Sequence, residues 1–252
     1  MYATFIIGTA GSGKSFLTSA FSDWLKLKGQ DVISVNLDPG VLDLPYTPDV
    51  DIREYVSINE IARKYQLGPN GALLMATDLI ATEIQTIKDE IEDIAADYVL
   101  IDTPGQMELF AFRASGPYIV DELLEGSKAL LYLFDAPFSI NPLNYVSNLF
   151  LAAAVHLRLF IPQVYVLSKT DLIPENELTT ILEWGTIDES LEIAIENKLS
   201  GTQRLLSRDM FNLISNLGLS FSLLPISSKN KLGFINLHAL LLRIFTGGEE
   251  II

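Results

Sequence analysis

The stretch "GTAGSGKS", Gly8 to Ser15, constrains the fold of this chain more than any other part of the sequence. It follows the apolar run "ATFIIG" and leads into the helical pattern "SFLTSAFSDWLKLKG". A strand, a glycine-rich turn and a helix in this order form a loop whose backbone N–H groups surround phosphates. The residues expected to bind a nucleotide here are Gly11, Ser12, Gly13, Lys14, Ser15 and Phe16.

A second motif, "VLIDTPGQ" at 99–106, completes this phosphate site. In the first motif, Lys14 supplies positive charge for the β- and γ-phosphates, and Ser15 offers its hydroxyl to Mg²⁺. Asp102 ends an apolar strand, where its carboxylate can bind Mg²⁺. The N–H group of Gly105, three residues later, is expected to reach the γ-phosphate. An ordinary turn after a strand is the alternative interpretation of this second motif.

Six apolar runs predict buried strands, and helical patterns separate them. Near-continuous apolar strands are typical of a parallel sheet that is covered by helices on both faces. We therefore predict an α/β protein with the three-layer P-loop NTPase fold and a mainly parallel sheet. Helical patterns over about 172–219 predict an insertion before the last strand, within a single domain spanning 1–252. The predicted strands are 3–8, 31–38, 97–105, 128–136, 163–171 and 220–227.

The acidic composition limits the partners of this chain. Its formal net charge of −15 argues against direct binding of nucleic acid or of an anionic membrane, both of which require clustered Lys and Arg. The absence of cysteine excludes disulfides, thiolate catalysis and zinc–cysteine sites. The first residues carry no basic segment and only a short apolar run, so no signal peptide is expected. We predict a cytoplasmic protein.

The segment "VYVLSKTDL" ends a strand with a candidate base-binding motif. It resembles the Asn-Lys-x-Asp motif of GTPases, in which the Asp carboxylate accepts two hydrogen bonds from guanine and the Lys stem packs along the base. The resemblance assigns these roles to Asp171 and Lys169, while Ser168 replaces the usual Asn. Ser228 and Lys229, in "SSKNKLG" after the last strand, are further base-contacting candidates. A polar helix start after a strand is the alternative.

The turn "LGPNGAL" at 67–73 has a local explanation. Ser57 of "SINE" begins one helix with a capping box, and Gly68 can end that helix in the left-handed conformation. Asn70 can then cap the next helix, which the pattern "GALLMATDLIATEIQTIKDEIEDI" predicts as one continuous element.

The motifs also occur in a diagnostic order: phosphate loop, "NLDPG", "LPYTPDVDIRE", "LGPNGAL", "DTPGQME", "SKTD". This series resembles the GPN-loop GTPase family, within the SIMIBI class of P-loop proteins. The resemblance implies a homodimer in which Asn70 approaches the γ-phosphate and attacking water of the partner subunit. It places Asp38 near Mg²⁺ and that water, as a candidate metal ligand beside Ser15 and Asp102. It places Gln106 where it orients the water. Asp49, Asp51 and Arg53 match a family segment near the nucleotide, although surface ion pairing is an equal alternative for all three.

The resemblance implies a Mg²⁺-dependent GTPase that converts GTP to GDP and phosphate and acts as a homodimeric switch or assembly factor. The catalytic residues would be Lys14, Asp38, Asn70 and Gln106. The family also implies a protein client, related to RNA polymerase in eukaryotic members. The alternatives are a non-catalytic assembly factor gated by nucleotide and a P-loop kinase, for which "SKTD" would be accidental.

Overall fold

A computed structural model describes residues 1–186, 188–198, 205, 209 and 222–247. Within these residues, seven strands form one sheet in the order β3-β2-β4-β1-β5-β6-β7, and every pair is parallel. The strands are β1 (Tyr2–Gly8), β2 (Val32–Asn36), β3 (Val50–Asp51), β4 (Tyr98–Asp102), β5 (Ser127–Asp135), β6 (Gln163–Ser168) and β7 (Leu224–Pro225).

The six predicted strands are present, but their ends differ from the prediction. The prediction extended 163–171 too far, because the chain leaves the sheet after Ser168 and forms a 3₁₀ turn at Thr170–Leu172. Residues 220–221 of the last predicted strand lie outside the described residues, and β7 covers only two positions. The edge strand β3 was missed, since two residues are too few to give a recognisable alternation.

Helices connect the strands on both faces of the sheet. They are α1 (Lys14–Leu27), α2 (Ile58–Tyr65), α3 (Pro69–Leu79), α4 (Ile84–Ile94), α5 (Met107–Ala111), α6 (Ser115–Glu122), α7 (Ala136–Ser139), α8 (Pro142–Leu159), α9 (Glu175–Trp184), α10 (Asp188–Lys198) and α11 (Phe234–Phe245). In the part of the chain that the structure describes, no helix is long and apolar enough to cross a bilayer.

The single helix predicted over 71–94 is wrong. The structure has α3, a 3₁₀ turn at Ile80–Thr82 and then α4. The hydroxyl of Thr82 donates to the carbonyl of Leu79 at 2.7 Å, and such a local bond competes with the regular helical ladder. Of the predicted insertion at 172–219, α9 and α10 lie between β6 and β7, whereas most of 199–219 lies outside the described residues.

Two hydrophobic clusters, one on each face of the sheet, confirm the three-layer α/β fold. Strand β1 shows the division, because Phe5 and Ile7 belong to one cluster and Ile6 to the other. Helices α1 and α11 cover the Ile6 face, and α4, α6 and α8 contribute to the Phe5 face. This arrangement explains the near-continuous apolar strands, since neither face of the sheet meets water. Because β1 is the central strand, the loop that follows it lies at the centre of the sheet edge where the carboxyl ends of the strands meet.

Candidate nucleotide-binding site

The phosphate loop joins the central strand β1 to α1 in a conformation that glycine favours. Gly11 and Gly13 have φ angles of 77° and 96°, which are unfavourable for residues with a Cβ atom. Gly13 immediately precedes α1, and no side chain caps the first turn of that helix. Its free N–H groups and the positive end of the helix dipole therefore point into the loop, as a phosphate site requires.

Lys14 is held at the base of the loop with its side chain buried. Its Nζ donates to the carbonyls of Gly8 at 2.9 Å, Thr9 at 3.2 Å and Gly105 at 3.5 Å. Burial lowers the pKa of Lys14, and the nearby carboxylates of Asp102 and Asp38 oppose that shift. Among the described residues, the hydrogen-bond partners of the ammonium are neutral carbonyls, so phosphate oxygens would be stronger acceptors at the same place.

Asp102, at the end of β4, carries an unpaired buried oxygen. The residue is 1% exposed; its Oδ2 accepts from the Tyr46 hydroxyl at 3.1 Å, and its Oδ1 has no hydrogen-bond partner among the residues that the structure describes. Burial raises the pKa of Asp102 to about 6, against the opposing effects of Ser15, Lys14 and Tyr46. Within the described part of the chain, the buried Ser12 hydroxyl also lacks a hydrogen-bond partner. Unpaired buried oxygens beside a phosphate loop fit a site that takes a cation and phosphate groups.

Asp38 contacts the second motif directly. Its Oδ2 accepts from the N–H of Gly105 at 2.7 Å, and its Oδ1 accepts from the N–H of Gly40 at 2.8 Å. The structure therefore brings together two residues that the sequence separates by more than sixty positions. The Gly105 N–H, which the sequence assigned to the γ-phosphate, is engaged by the Asp38 carboxylate in this structure.

A cavity of about 180 Å³ lies beside this contact. Asp38 and Gln106 both line it, so two predicted catalytic residues share one space. Gln106 is exposed and immediately precedes α5. Leu73 of α3 also lines the cavity. Because α3 begins in the Gly-Pro-Asn turn, this helix connects the cavity to that turn. The lining residues are Ala10, Asp38, Gly40, Leu73, Pro104, Gly105, Gln106 and Leu109.

The predicted capping of the Gly-Pro-Asn turn is wrong in two places. Helix α2 ends at Gln66 in the left-handed conformation, not at Gly68. Gly68 instead precedes α3 in an extended conformation, and Pro69 is the first helical residue. The fixed φ of proline suits that position, so the helix begins before Asn70. Asn70 is exposed and does not cap the helix, whereas the predicted cap at Ser57 is confirmed by a 3.4 Å bond from the N–H of Glu60.

The base-binding candidates surround a second cavity, of about 230 Å³. It is lined by Gly13, Phe16, Ser168, Lys169, Asp171, Leu172, Ser228 and Lys229. The predicted residues Phe16, Lys169, Asp171 and Ser228 thus lie together, next to Gly13 of the phosphate loop. Sequence reasoning missed Ser227, which is buried and donates to Asp171 Oδ1 at 2.7 Å. The sequence could have indicated Ser227 through its position next to Ser228, which was already a candidate.

Ser168 keeps a bracing role despite replacing the usual Asn. Its buried hydroxyl lies 2.7 Å from the carbonyl of Ser12 and 3.0 Å from that of Phe134. The single hydroxyl proton is shared between these two acceptors. The base loop is therefore still tied to the phosphate loop.

Two other residues at the site were not singled out from the sequence. Asn36 donates to Asp51 at 2.9 Å and accepts from the N–H of Asp38 at 3.0 Å. Tyr46 contacts Asp102, as described above. Arg53 pairs with both oxygens of Asp51, so the anticipated ion pair forms, but it also supports Asp38 through Asn36. The sequences "NLDPG" and "LPYTP" contained the two missed residues.

Comparisons with known proteins agree with this geometry. Residues 6–247 match the family described as "Conserved hypothetical ATP binding protein". The chain is 34% identical over 236 residues to a GPN-loop GTPase of Pyrococcus abyssi (strain GE5 / Orsay), covering 93% of each protein. It is 32% identical over 244 residues to GPN-loop GTPase QQT1 of Arabidopsis thaliana, covering 92% of this chain and 82% of that protein.

A solved structure also matches over almost the whole length. The crystal structure of an apo-form GTPase from Pyrococcus abyssi gives a TM-score of 0.85 at 32% identity, covering 97% of each chain. Other relatives are longer. GPN-loop GTPase QQT2 of Arabidopsis thaliana is 35% identical over 219 residues, which is 84% of this chain but 57% of that protein. The chain therefore spans a little over half the length of several curated relatives that it matches.

Proposed function

This chain belongs to the GPN-loop GTPase family, and on that basis we propose that it binds GTP and hydrolyses it to GDP and phosphate. One observation carries the proposal: the cavity lined by Asp171 adjoins Gly13 of the phosphate loop. A nucleoside and its phosphates can then occupy both parts of the site at once. The Ser12, Ser15 and Lys14 side chains would contact the phosphates.

The proposed preference for guanine rests on Asp171. The ring N–H and the exocyclic amine of guanine can both donate to its carboxylate, whereas adenine presents an acceptor at the ring position and would leave the carboxylate unpaired. Ser227 donates to Oδ1 and fixes the orientation of this group. The family description mentions ATP, but a carboxylate acceptor at the base position favours GTP.

The residues around Asp102 are suited to Mg²⁺. Ser15 and the unpaired Oδ1 of Asp102 supply the hard oxygen ligands that this ion prefers. When bound, the ion would neutralise charge on the phosphate oxygens. Asp38 was also predicted as a ligand; both of its oxygens already accept backbone N–H groups, which favours a role next to the water rather than on the metal.

The proposed reaction needs positioning and charge stabilisation. The oxygen of a water molecule bonds to the γ-phosphorus, and the bond to the bridging oxygen breaks, so GDP leaves with the electron pair of that bond. A proton of the water passes to an oxygen of the released phosphate. Asp38 and Gln106 line one cavity, which supports the proposal that they would orient that water. Lys14 would stabilise the charge that develops on the phosphate oxygens.

We further propose that the protein acts as a homodimer in which Asn70 completes the site of the partner subunit. Leu73 of α3 lines the cavity at Asp38, but Asn70, one turn earlier, is exposed to solvent. An exposed amide at a helix start is available to a second subunit. A protein client, which the family resemblance relates to RNA polymerase, is part of this proposal. A cytoplasmic location and a single domain are also part of it.

Product analysis tests the proposal. Purified protein is incubated with Mg²⁺ and either GTP or ATP, without an acceptor, and released phosphate and nucleotide are measured. Hydrolysis predicts stoichiometric GDP and phosphate from GTP and far less product from ATP. Phosphate transfer only in the presence of an acceptor would favour a kinase. GTP binding without turnover would favour a non-catalytic assembly factor.

A further inference from the structure

Asp135 lies between the base cavity and the phosphate loop, and it is not one of the proposed nucleotide-binding or catalytic residues. It is the last residue of β5, and it pairs in register with Ser168 at the end of β6. Its two oxygens have different partners. Oδ1 accepts from the N–H of Phe138 at 3.1 Å and caps α7, while Oδ2 accepts from the Lys169 ammonium at 2.6 Å.

The same ammonium reaches the phosphate loop. Lys169 Nζ also donates to the carbonyl of Gly11, and its Cε lies 3.6 Å from the position that a Cβ on Gly13 would occupy. Lys169 is in the left-handed conformation, with a φ of 59°, which directs its side chain from the base loop towards this contact. A chain of contacts therefore runs from Asp135 through Lys169 to Gly11.

We propose that Asp135 is a positioning residue for nucleotide binding, acting through Lys169 to hold the base loop against the Gly11 part of the phosphate loop. A lysine side chain has four rotatable bonds, and a neutral carbonyl alone restrains it weakly. A half-buried carboxylate fixes the ammonium more strongly, because a charge-assisted hydrogen bond exceeds a neutral one. Without Asp135, ordering Lys169 would oppose nucleotide binding. This inference rests on the proposed function, since it concerns the same site.

The substitution Asp135→Asn keeps one of the two contacts of the carboxylate and removes the other. The amide oxygen still accepts from the Phe138 N–H, but the amide nitrogen is a donor and cannot accept from the ammonium. Fluorescent GDP should therefore bind about tenfold more weakly to the variant, as expected for a lost hydrogen bond to a charged group. Asp93→Asn, at an exposed position of α4, is the matched control for the loss of one charge and should bind as the native protein does.

A double-mutant cycle distinguishes positioning from a general structural effect. In a Lys169→Met background, Asp135→Asn should change GDP affinity less than about twofold, because the residue through which it acts is gone. An equal loss in both backgrounds would overturn the inference, and so would native affinity in the single Asp135→Asn variant. Any stability loss is common to both backgrounds, so the comparison remains decisive. If the native protein binds neither GDP nor GTP, the proposed function itself fails.

Discussion

At the scale of single residues, the two key carboxylates, Asp102 and Asp171, differ in how deeply they are buried. Asp102 is almost fully enclosed, and one of its oxygens is unpaired. Asp171 is exposed, and Ser227 orients it. The buried charge of Asp102, which accepts from Tyr46 through one oxygen only, destabilises the nucleotide-free protein, whereas an exposed and oriented carboxylate has little energetic cost before the base arrives. We therefore expect substitution of Asp102 and substitution of Asp171 to have different effects.

Asp171→Asn should reverse the preference for the base. The new amide donates where the carboxylate accepted, so it suits xanthine, which has a carbonyl oxygen on C2 in place of the amine of guanine. GTP affinity should fall by up to about 10⁴-fold, and XTP affinity should rise. Dissociation constants of GTP, ATP and XTP are measured for both proteins. Equal binding of GTP and ATP by the native protein would contradict the assignment of Asp171.

Asp102→Asn should stabilise the nucleotide-free protein but abolish Mg²⁺-dependent GTP binding. Burial raises the pKa of Asp102 from 3.8 to about 6, so its charged form destabilises the fold fully above pH 6 and not at all below about pH 4. The gain in unfolding free energy at pH 8 should be on the order of 1–3 kcal/mol. It should vanish as the pH falls from 6 to 4.

Chemical denaturation of both proteins at pH 8 and pH 4 measures this difference. The amide oxygen can still accept from Tyr46, so that contact is retained in the variant. A variant that is less stable than the native protein at pH 8 would show that the Asp102 charge is compensated in the nucleotide-free state. Retained Mg²⁺-dependent binding would remove Asp102 from the metal site.

At the scale of elements, α3 is fixed at its end and exposed at its start. Asp78 accepts from Arg113 Nε at 2.7 Å and from the Ser115 hydroxyl at 3.1 Å, which joins α3 to the segment that follows α5. Ala72 and Ala76 are fully buried. A helix anchored in this way holds its first turn in one orientation, so the exposed Asn70 is preorganised.

Asn70→Ala should therefore change activity without changing stability. Because Asn70 is exposed and is not the cap of α3, the loss in unfolding free energy should stay within about 0.5 kcal/mol. GTP binding should be native, while phosphate release should slow strongly. Thermal melting, GTP affinity and phosphate release are measured on the same preparation. Native turnover in the folded variant would exclude Asn70 from the reaction.

At the scale of the whole molecule, the proposed dimer must supply residues from two subunits to each site. Equal amounts of Asn70→Ala and Asp38→Ala subunits are mixed and allowed to exchange. In a mixed dimer, the site with native Asp38 receives native Asn70 from its partner and is complete. Random pairing makes about half of the dimers mixed, with one complete site of two, so activity should recover to roughly a quarter of native.

Subunit exchange is verified separately, with differently tagged subunits and native mass spectrometry. If Asn70 acts within its own subunit, no pairing contains a complete site, and the mixture stays as inactive as its components. The same mass measurement tests the dimer itself. A monomer at all concentrations, with or without GTP, would rule out the arrangement.

The sequence by itself determined the parts of this protein that depend on local patterns. Apolar runs of strand length predicted the parallel sheet, and the spacing of Gly8, Gly13 and Lys14 predicted the phosphate loop, because each requires only neighbouring residues. The motif at Ser168–Asp171 predicted the base cavity through its resemblance to the Asn-Lys-x-Asp motif of GTPases. The identities of Asp38, Asn70 and Gln106 came from a resemblance between ordered motifs, not from any local physical signal.

Only the tertiary structure decided which distant groups meet. The contacts between Asp38 and Gly105, Tyr46 and Asp102, and Asp135 and Lys169 join residues that are 34 to 67 positions apart. Local patterns also misplaced the cap at Asn70 and the break near Thr82. Such contacts depend on how the strands are ordered and how the loops pack at the carboxyl edge of the sheet. The sequence pattern shows how often apolar and polar residues recur along the chain. It does not give the distance between loops that the sheet brings together.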